Sequence, residues 1–227
     1  MPKVISEEYG TISIPAWVMD LPSFFRWIDT TDLPEKLPIR FLRGEVCVDL
    51  KMEEMFSHNL IKTELAIVLG TLIKGEKLGV YVSDGMLLAN ETAEFATEPD
   101  GMFLSRQTIA EERARFVAGK KRKAVATRIL GVPDLVIEIV SPSSENDDTD
   151  ALMSAYHTAG IPEYWLIDAR GDGDIRFTIF KKTSSGYVRT RKHDGWCKST
   201  VLDRFFRFTQ SEGEFGIPEV ALEVRAN

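Results

Sequence analysis

Glu138 is the one charged residue in Leu135-Val136-Ile137-Glu138-Ile139-Val140, a run of mainly branched apolar residues ended by Ser141-Pro142. Such a run reads as a buried β-strand. A carboxylate buried there without partners is costly, so a cation or strong donors are expected beside it. Asp100 has a similar setting in Glu98-Pro99-Asp100-Gly101-Met102-Phe103-Leu104. Two acids brought together from two strands form the minimal set of ligands for a hard divalent ion such as Mg²⁺ or Mn²⁺. A plainer reading fits the same residues: Asp100 and Asp134 follow prolines and suit turns, and Glu138 is a paired core acid.

Spacing decides which acids can act together. Asp134 and Glu138 are four apart on one strand, so they share a face but stand about 13 Å apart at ~3.3 Å per residue. One ion cannot take both directly. Asp100 and Glu138 are therefore the expected metal pair, with Asp134 at the strand entry. Three further residues are candidates for support. Glu45 follows the bend at Gly44, His58 sits near the start of a helix, and Glu64 lies further along that helix. Each also has an ordinary structural reading, as a turn acid, a hydrogen-bonded histidine and a salt-bridge acid.

The run Pro133-Asp134-Leu135-Val136-Ile137-Glu138-Ile139-Val140-Ser141-Pro142-Ser143, followed by Tyr156 and Gly160-Ile161-Pro162-Glu163-Tyr164-Trp165-Leu166-Ile167-Asp168, resembles the Uma-two family. That family consists of restriction-endonuclease-like proteins of the PD-(D/E)XK nuclease superfamily. The resemblance extends over roughly residues 40 to 190 and includes Glu98-Pro99-Asp100 and Gly44-Glu45. It implies an α/β fold with a restriction-endonuclease-like core, a central mixed β-sheet flanked by helices. It also implies Mg²⁺-dependent hydrolysis of DNA phosphodiester bonds, with Asp100 and Glu138 as the metal-binding acids and Asp134 as the motif's other acid. The family pattern places a lysine near position 152, four residues before Tyr156. Leu152 stands there, and the superfamily's usual alternative position holds Val140.

No Lys or Arg occurs from Ile129 to Ala169. In a metal-dependent nuclease the lysine positions the attacking water and offsets charge on the phosphate. Three readings follow. A lysine from elsewhere fills the role, with Lys62 as first candidate and Lys181 as another. The metal alone sustains weak activity. Or the chain keeps the fold as a catalytically inactive DNA- or protein-binding module.

The elements that must position these residues follow from periodicity. A short amphipathic helix is expected at 21–28 and a hairpin at 39–50 bending at Gly44. A helix is expected at 57–74 with Ser57 as N-cap. Strands are expected at 79–89, with a turn at Asp84-Gly85, and at 92–104, passing through Asp100. A strand at 134–141 precedes a helix at 149–159 that stops at Gly160, then a strand at 164–168. An edge strand at 175–180 pairs with 186–188. Residues 1–38 read as an N-terminal extension and 39–227 as one nuclease-like domain with a basic insertion at 106–128. The acids Glu145, Asp147, Asp148 and Asp150 suit a helix N-terminus.

The chain has 227 residues, 44% of them apolar, enough for a sizeable core. Its net charge is −7. No apolar run is long enough for a membrane span and no signal peptide is evident. Cys47 and Cys197 read as free thiols in a reducing cytoplasm. His58, His157 and His193 make no zinc pattern. No phosphate-binding glycine loop or Ser-His-Asp order is present. The aromatic stripe of 21–28 reads as core or a dimer contact, and Phe205-Phe206-Arg207-Phe208 suits an interaction module in a homodimer. Residues 106–128 hold eight Lys or Arg against Glu111 and Glu112, an excess that suits a phosphate backbone or a solvated face. If that segment holds DNA, reversing Lys120, Lys121, Arg122 and Lys123 to Glu abolishes salt-sensitive binding. Unchanged affinity at low salt returns it to a solvated face.

Overall fold

A computed structural model describes residues 3–6, 10–34, 37–48, 55–118, 126–140, 146–170 and 174–226. The expected strand forms at Leu135–Val140, and its alternation divides the molecule. Leu135, Ile137 and Ile139 face one hydrophobic core, and Val136 faces a second. Glu138, an even-numbered neighbour of Val136, points to the second side.

Numbering the elements in chain order, the first hairpin joins β1 (Lys3–Ser6) to β2 (Gly10–Ser13). The helices are α1 (Leu21–Thr30), α2 (Leu60–Gly75), α3 (Arg106–Ala110) and α4 (Asn146–Ala159). The second sheet contains β3 (Ile39–Leu42), β4 (Glu45–Val48), β6 (Leu87–Asn90), β7 (Phe95–Thr97), β9 (Ala114–Ala118) and β10 (Ala126–Gly131). The central sheet contains β5 (Gly79–Ser83), β8 (Gly101–Ser105), β11 (Leu135–Val140), β12 (Glu163–Asp168), β13 (Arg176–Thr183) and β14 (Gly186–Arg189). A C-terminal sheet contains β15 (Lys192–His193), β16 (Trp196–Ser199), β17 (Arg204–Ser211) and β18 (Glu219–Ala226).

The central sheet runs β14-β13-β12-β11-β8-β5, and only β11 and β12 are parallel. A parallel pair needs a crossover, and α4 supplies it. Gly160, at φ 91°, ends that helix, with the Gly160 and Ile161 N–H groups donating back to His157 and Tyr156. The fold is thus mixed α/β, as expected. On one face of the central sheet, α2 and the inner face of the C-terminal sheet close the first core. Ile61, Leu65, Leu69 and Ile73 of α2 recur every four residues and are all buried there. On the other face, α4 and the second sheet close the second core around Tyr156 and Tyr164. Helix α1, capped by Asp20 and Ser23, packs Phe24 and Trp27 against Phe41 of β3 in a third core.

Several expected elements differ. The strands expected at 79–89 and 92–104 each split across two sheets: β5 and β8 belong to the central sheet, β6 and β7 to the second. Gly85, at φ 87°, turns the chain between the first pair. Pro99, which lacks an N–H, stands between the second. The 106–128 segment holds one short helix followed by β-structure, because Ser105 caps α3 and the helix ends at Glu111. Ser57 is not an N-cap. It lies with His58 inside a π-helical turn, Met55–Asn59, and both are buried. Phe206 and Phe208 are buried in the first core, so they are not available as a dimer contact.

Buried Glu163 fastens the C-terminal sheet to the central one. Its carboxylate accepts from Trp165 Nε1 at 2.8 Å, Thr200 N at 2.8 Å, Thr200 Oγ1 at 3.1 Å and Val201 N at 3.3 Å. Removing it leaves the buried Trp165 N–H unsatisfied, whereas water can reach the groups of exposed Thr200. Glu163→Leu is expected to lower stability by about 1–3 kcal/mol, the cost of one buried unsatisfied donor, and Glu163→Gln by less, measured by denaturant unfolding.

Candidate active site

Asp100 sits where the chain passes from the second sheet to the central one. The β8–β11 ladder runs Leu135↔Phe103, Val136↔Met102, Ile137↔Gly101 and then stops. One further step of that register sets Asp100 opposite Glu138. Instead of a ladder bond, the Ile139 N–H donates to Asp100 Oδ2 at 2.7 Å. The carboxylate therefore does for Ile139 what a neighbouring strand would have done. Gly101 beside it leaves room for Tyr81, whose hydroxyl a Cβ there would meet at 2.6 Å and push aside.

A lysine does approach these acids in space. Lys62, one residue beyond buried Ile61 on α2, places Nζ 3.1 Å from Asp100 Oδ1 and 2.9 Å from Asp84 Oδ2. His58, from the π-helical turn, brings Nε2 to 3.5 Å from Asp100 Oδ1. A π-helical turn at this point rotates His58 inward just before α2 begins. Burial raises the proton affinity of Asp100. The hydrogen bond and charge of His58, the charge of Lys62 and the Ile139 N–H outweigh it, holding this carboxyl below the usual range.

Glu138 has the opposite balance. Burial first, then the Asp100 charge, push its carboxyl up to about 8, against the Tyr156 hydrogen bond and the charges of Arg40 and Lys62. The residue as a whole retains some solvent contact. The groups around the carboxyl nonetheless favour the neutral acid. Tyr156 donates its hydroxyl to Glu138 Oε1 at 2.5 Å and also meets Thr97 Oγ1 at 3.1 Å. Tyr164, next to it in the second core, is buried with a hydroxyl that has no hydrogen-bond partner among the described residues.

The other candidates lie elsewhere. Asp134, at the far end of β11, accepts from Ser105 N at 2.6 Å and Thr108 Oγ1 at 2.8 Å and pairs with Arg113 at 3.3 Å. It anchors α3. Glu64 Oε1 accepts from Leu222 N at 3.0 Å and ties α2 to β18. Glu45 is exposed at the hairpin turn, and among the described residues it makes no hydrogen bond or ion pair with Asp100, Glu138 or Lys62. Lys181 pairs across the sheet with Glu163, which pairs with Leu135, at the end of β11 away from Glu138. Leu152 is half-buried against the second core. Of the basic segment, Arg128 is buried and bound to Asp29, Arg113 is bound to Glu111 and Asp134, and Lys120–Lys123 lie outside the described residues.

Sequence reasoning missed Asp84, Tyr81 and Arg40, and quoted Tyr156 only as part of a motif. Asp84 was legible as a turn residue. Nothing in its local pattern signals an ion pair with a lysine 22 positions earlier.

Asp100 and Glu138 offer hard oxygen donors. Among the described residues no group of three or more His, Cys, Asp or Glu could hold a metal ion. Two carboxylates are the kind of ligand through which Mg²⁺ is typically bound, with waters and substrate phosphate completing its shell. A buried acid whose neighbour's charge raises its proton affinity also gains from a nearby cation.

Glu138 makes stability fall with pH. Its folded affinity for a proton exceeds its unfolded one, so its contribution is full below about 4.5 and is lost as pH rises to about 8. The slope is at most about 1.4 kcal/mol per pH unit. Metal-free wild type is expected to lose stability between those values. Glu138→Gln, which keeps an acceptor for Tyr156, flattens the decline. Urea unfolding across that range in a chelator checks it, and a wild-type curve that does not fall removes the effect.

Comparison with known proteins bears on the fold and family. No curated protein matches the chain. A solved structure described as a putative nuclease belonging to DUF820 from Anabaena variabilis aligns with a TM-score of 0.59. The identity is 17%, and the alignment covers 81% of this chain and 90% of that one, a likeness of fold. The family model Uma2, described as "Putative restriction endonuclease", matches residues 21–201, most of the length. The chain belongs to this family and has its nuclease-like fold.

Proposed function

We propose that the chain is a Mg²⁺- or Mn²⁺-dependent endonuclease that hydrolyses DNA phosphodiester bonds, with Lys62 of α2 in the role of the lysine absent at position 152. The observation that carries this reading is the 3.1 Å approach of Lys62 Nζ to Asp100 Oδ1 beside the Glu138 carboxylate. Asp100 and Glu138 would hold the ion, which when bound would supply Lewis-acid polarisation of the phosphate and a more acidic water. Lys62 carries three N–H donors on a flexible stem. In the metal-free protein two carboxylates engage them. With a phosphate present, the ammonium orients the attacking water and offsets charge on a non-bridging oxygen. Tyr156 and Thr97 fix the rotamer of Glu138, and His58 steadies Asp100. Asp134 acts at a distance, through α3 and the strand entry.

The test uses two positions. Lys62→Gln is expected to lower Mg²⁺-dependent cleavage of supercoiled DNA about 100-fold or more, the scale of one transition-state donor. Mn²⁺ binding, followed by calorimetry, should survive. Asp100→Ala and Glu138→Ala abolish both. Leu152→Lys in the Lys62→Gln background returns an amine to the family position and should restore part of the activity if the variant stays folded. Full activity in Lys62→Gln removes that residue from the mechanism. A wild type that cleaves no DNA while binding Mn²⁺ favours the non-catalytic binding module.

A further inference from the structure

The outer face of the C-terminal sheet carries two cross-strand rows. Register sets Lys198, Phe205 and Arg225 side by side, and two residues along sets Trp196, Arg207 and Glu223 side by side. The intervening Cys197 and Phe206 are buried beneath, so these six side chains lie on the opposite, outward surface. The rings and cations interlock. The Arg225 guanidinium lies 4.5 Å from the Trp196 centroid and 4.8 Å from that of Phe205. Arg207 lies 4.7 Å from Trp196, and Lys198 Nζ lies 5.7 Å from Phe205. Arg207 is also paired with Glu223, and Lys198 lies 3.5 Å from Asp203. Exposed Arg225 has no carboxylate partner among the described residues.

We propose that this face is a docking surface for the phosphate backbone of duplex DNA. The proposal rests on the nuclease reading above. The argument is charge complementarity. Residues 176–207 contain nine Lys or Arg against Asp194 and Asp203, within a chain of net charge −7. Glu212, Glu214 and Glu219 lie toward the hairpin tip, beyond the rows, while Glu223 and Asp203 are each taken up by a cation of the rows, Arg207 and Lys198. Exposed Arg189, Arg191 and Lys192 lead into the face. Stacking on two rings orders Arg225 in advance, so its planar fork loses little freedom on meeting a phosphate. An unpaired, ordered guanidinium is suited to two parallel bonds to one phosphate group.

Fluorescence anisotropy of a labelled duplex of about 30 base pairs, in chelator and between about 50 and 200 mM salt, measures the contacts. Lys198→Glu with Arg225→Glu is expected to weaken binding more than about tenfold and make the slope of log affinity against log salt shallower by about two. Arg225→Lys, which keeps the charge, should retain the wild-type slope. Circular dichroism checks folding. If the double variant does not fold, Lys198→Glu alone should reduce the slope by about one. Folded variants with wild-type affinity and slope overturn the docking surface, as does a wild type that binds no duplex. Cleavage by wild type with unaltered binding in the variants overturns docking alone. Loss of binding in the variants with no cleavage by wild type sustains docking and overturns the nuclease reading.

Discussion

Two carboxylates share the end of one sheet, at the point where a β-ladder stops and backbone donors lose their partners. Everything around that point compensates for charge brought out of water. Asp100 is stabilised as an anion by a backbone N–H, a histidine and a lysine. Glu138, without such a set, is held as the neutral acid and bound by a tyrosine hydroxyl. The asymmetry follows from position. Asp100 lies on a connection open to α2, whereas Glu138 points into the second core between β11 and α4. Two neighbouring acids driven to different protonation states are the arrangement that a divalent ion would reverse, by making both charges favourable.

The chain reaches this geometry by changing sheets twice. It leaves the central sheet after β5 at Asp84-Gly85 and returns through Glu98-Pro99-Asp100. Both departures bring an acid to α2, where Lys62 bridges them. The lysine is therefore held by the crossover and by the helix that packs beneath it. Ile61 and Leu65 are fully buried, so α2 has little freedom to rotate Lys62 away from the acids.

Much of this was legible in the residues and the rest was not, for physical reasons. β11, α4 and β12 follow from uninterrupted patterns: a branched apolar run, a capped helix closed by glycine and a second apolar run. The family resemblance rests on the same stretch. The split of 79–89 and 92–104 was not legible, because a strand that continues and one that changes sheets have the same alternation. The turn at Gly85 was visible, but its destination depends on pairing with residues far along the chain. The basic segment read as an insertion because its charges hide β-pairing, and Arg128 proved to be a buried partner of Asp29. Lys62 was named from need, since no lysine stood where the motif has one. Asp84, its second partner, had no local signature at all.

Glu64 joins α2 to Leu222, across 158 residues of chain. The helix that carries Lys62 thus has one of its anchors on the eighteenth strand, which leaves the ribosome long after the helix, Asp100 and Glu138 have been made. A carboxylate that would otherwise sit exposed on a nascent helix finds its donor only when β18 closes the C-terminal sheet. The order of synthesis and the order of assembly are therefore opposed here: the residues proposed for chemistry are translated early and clamped late. The position of Lys62 therefore depends in part on a hydrogen bond that only the C-terminal sheet can supply.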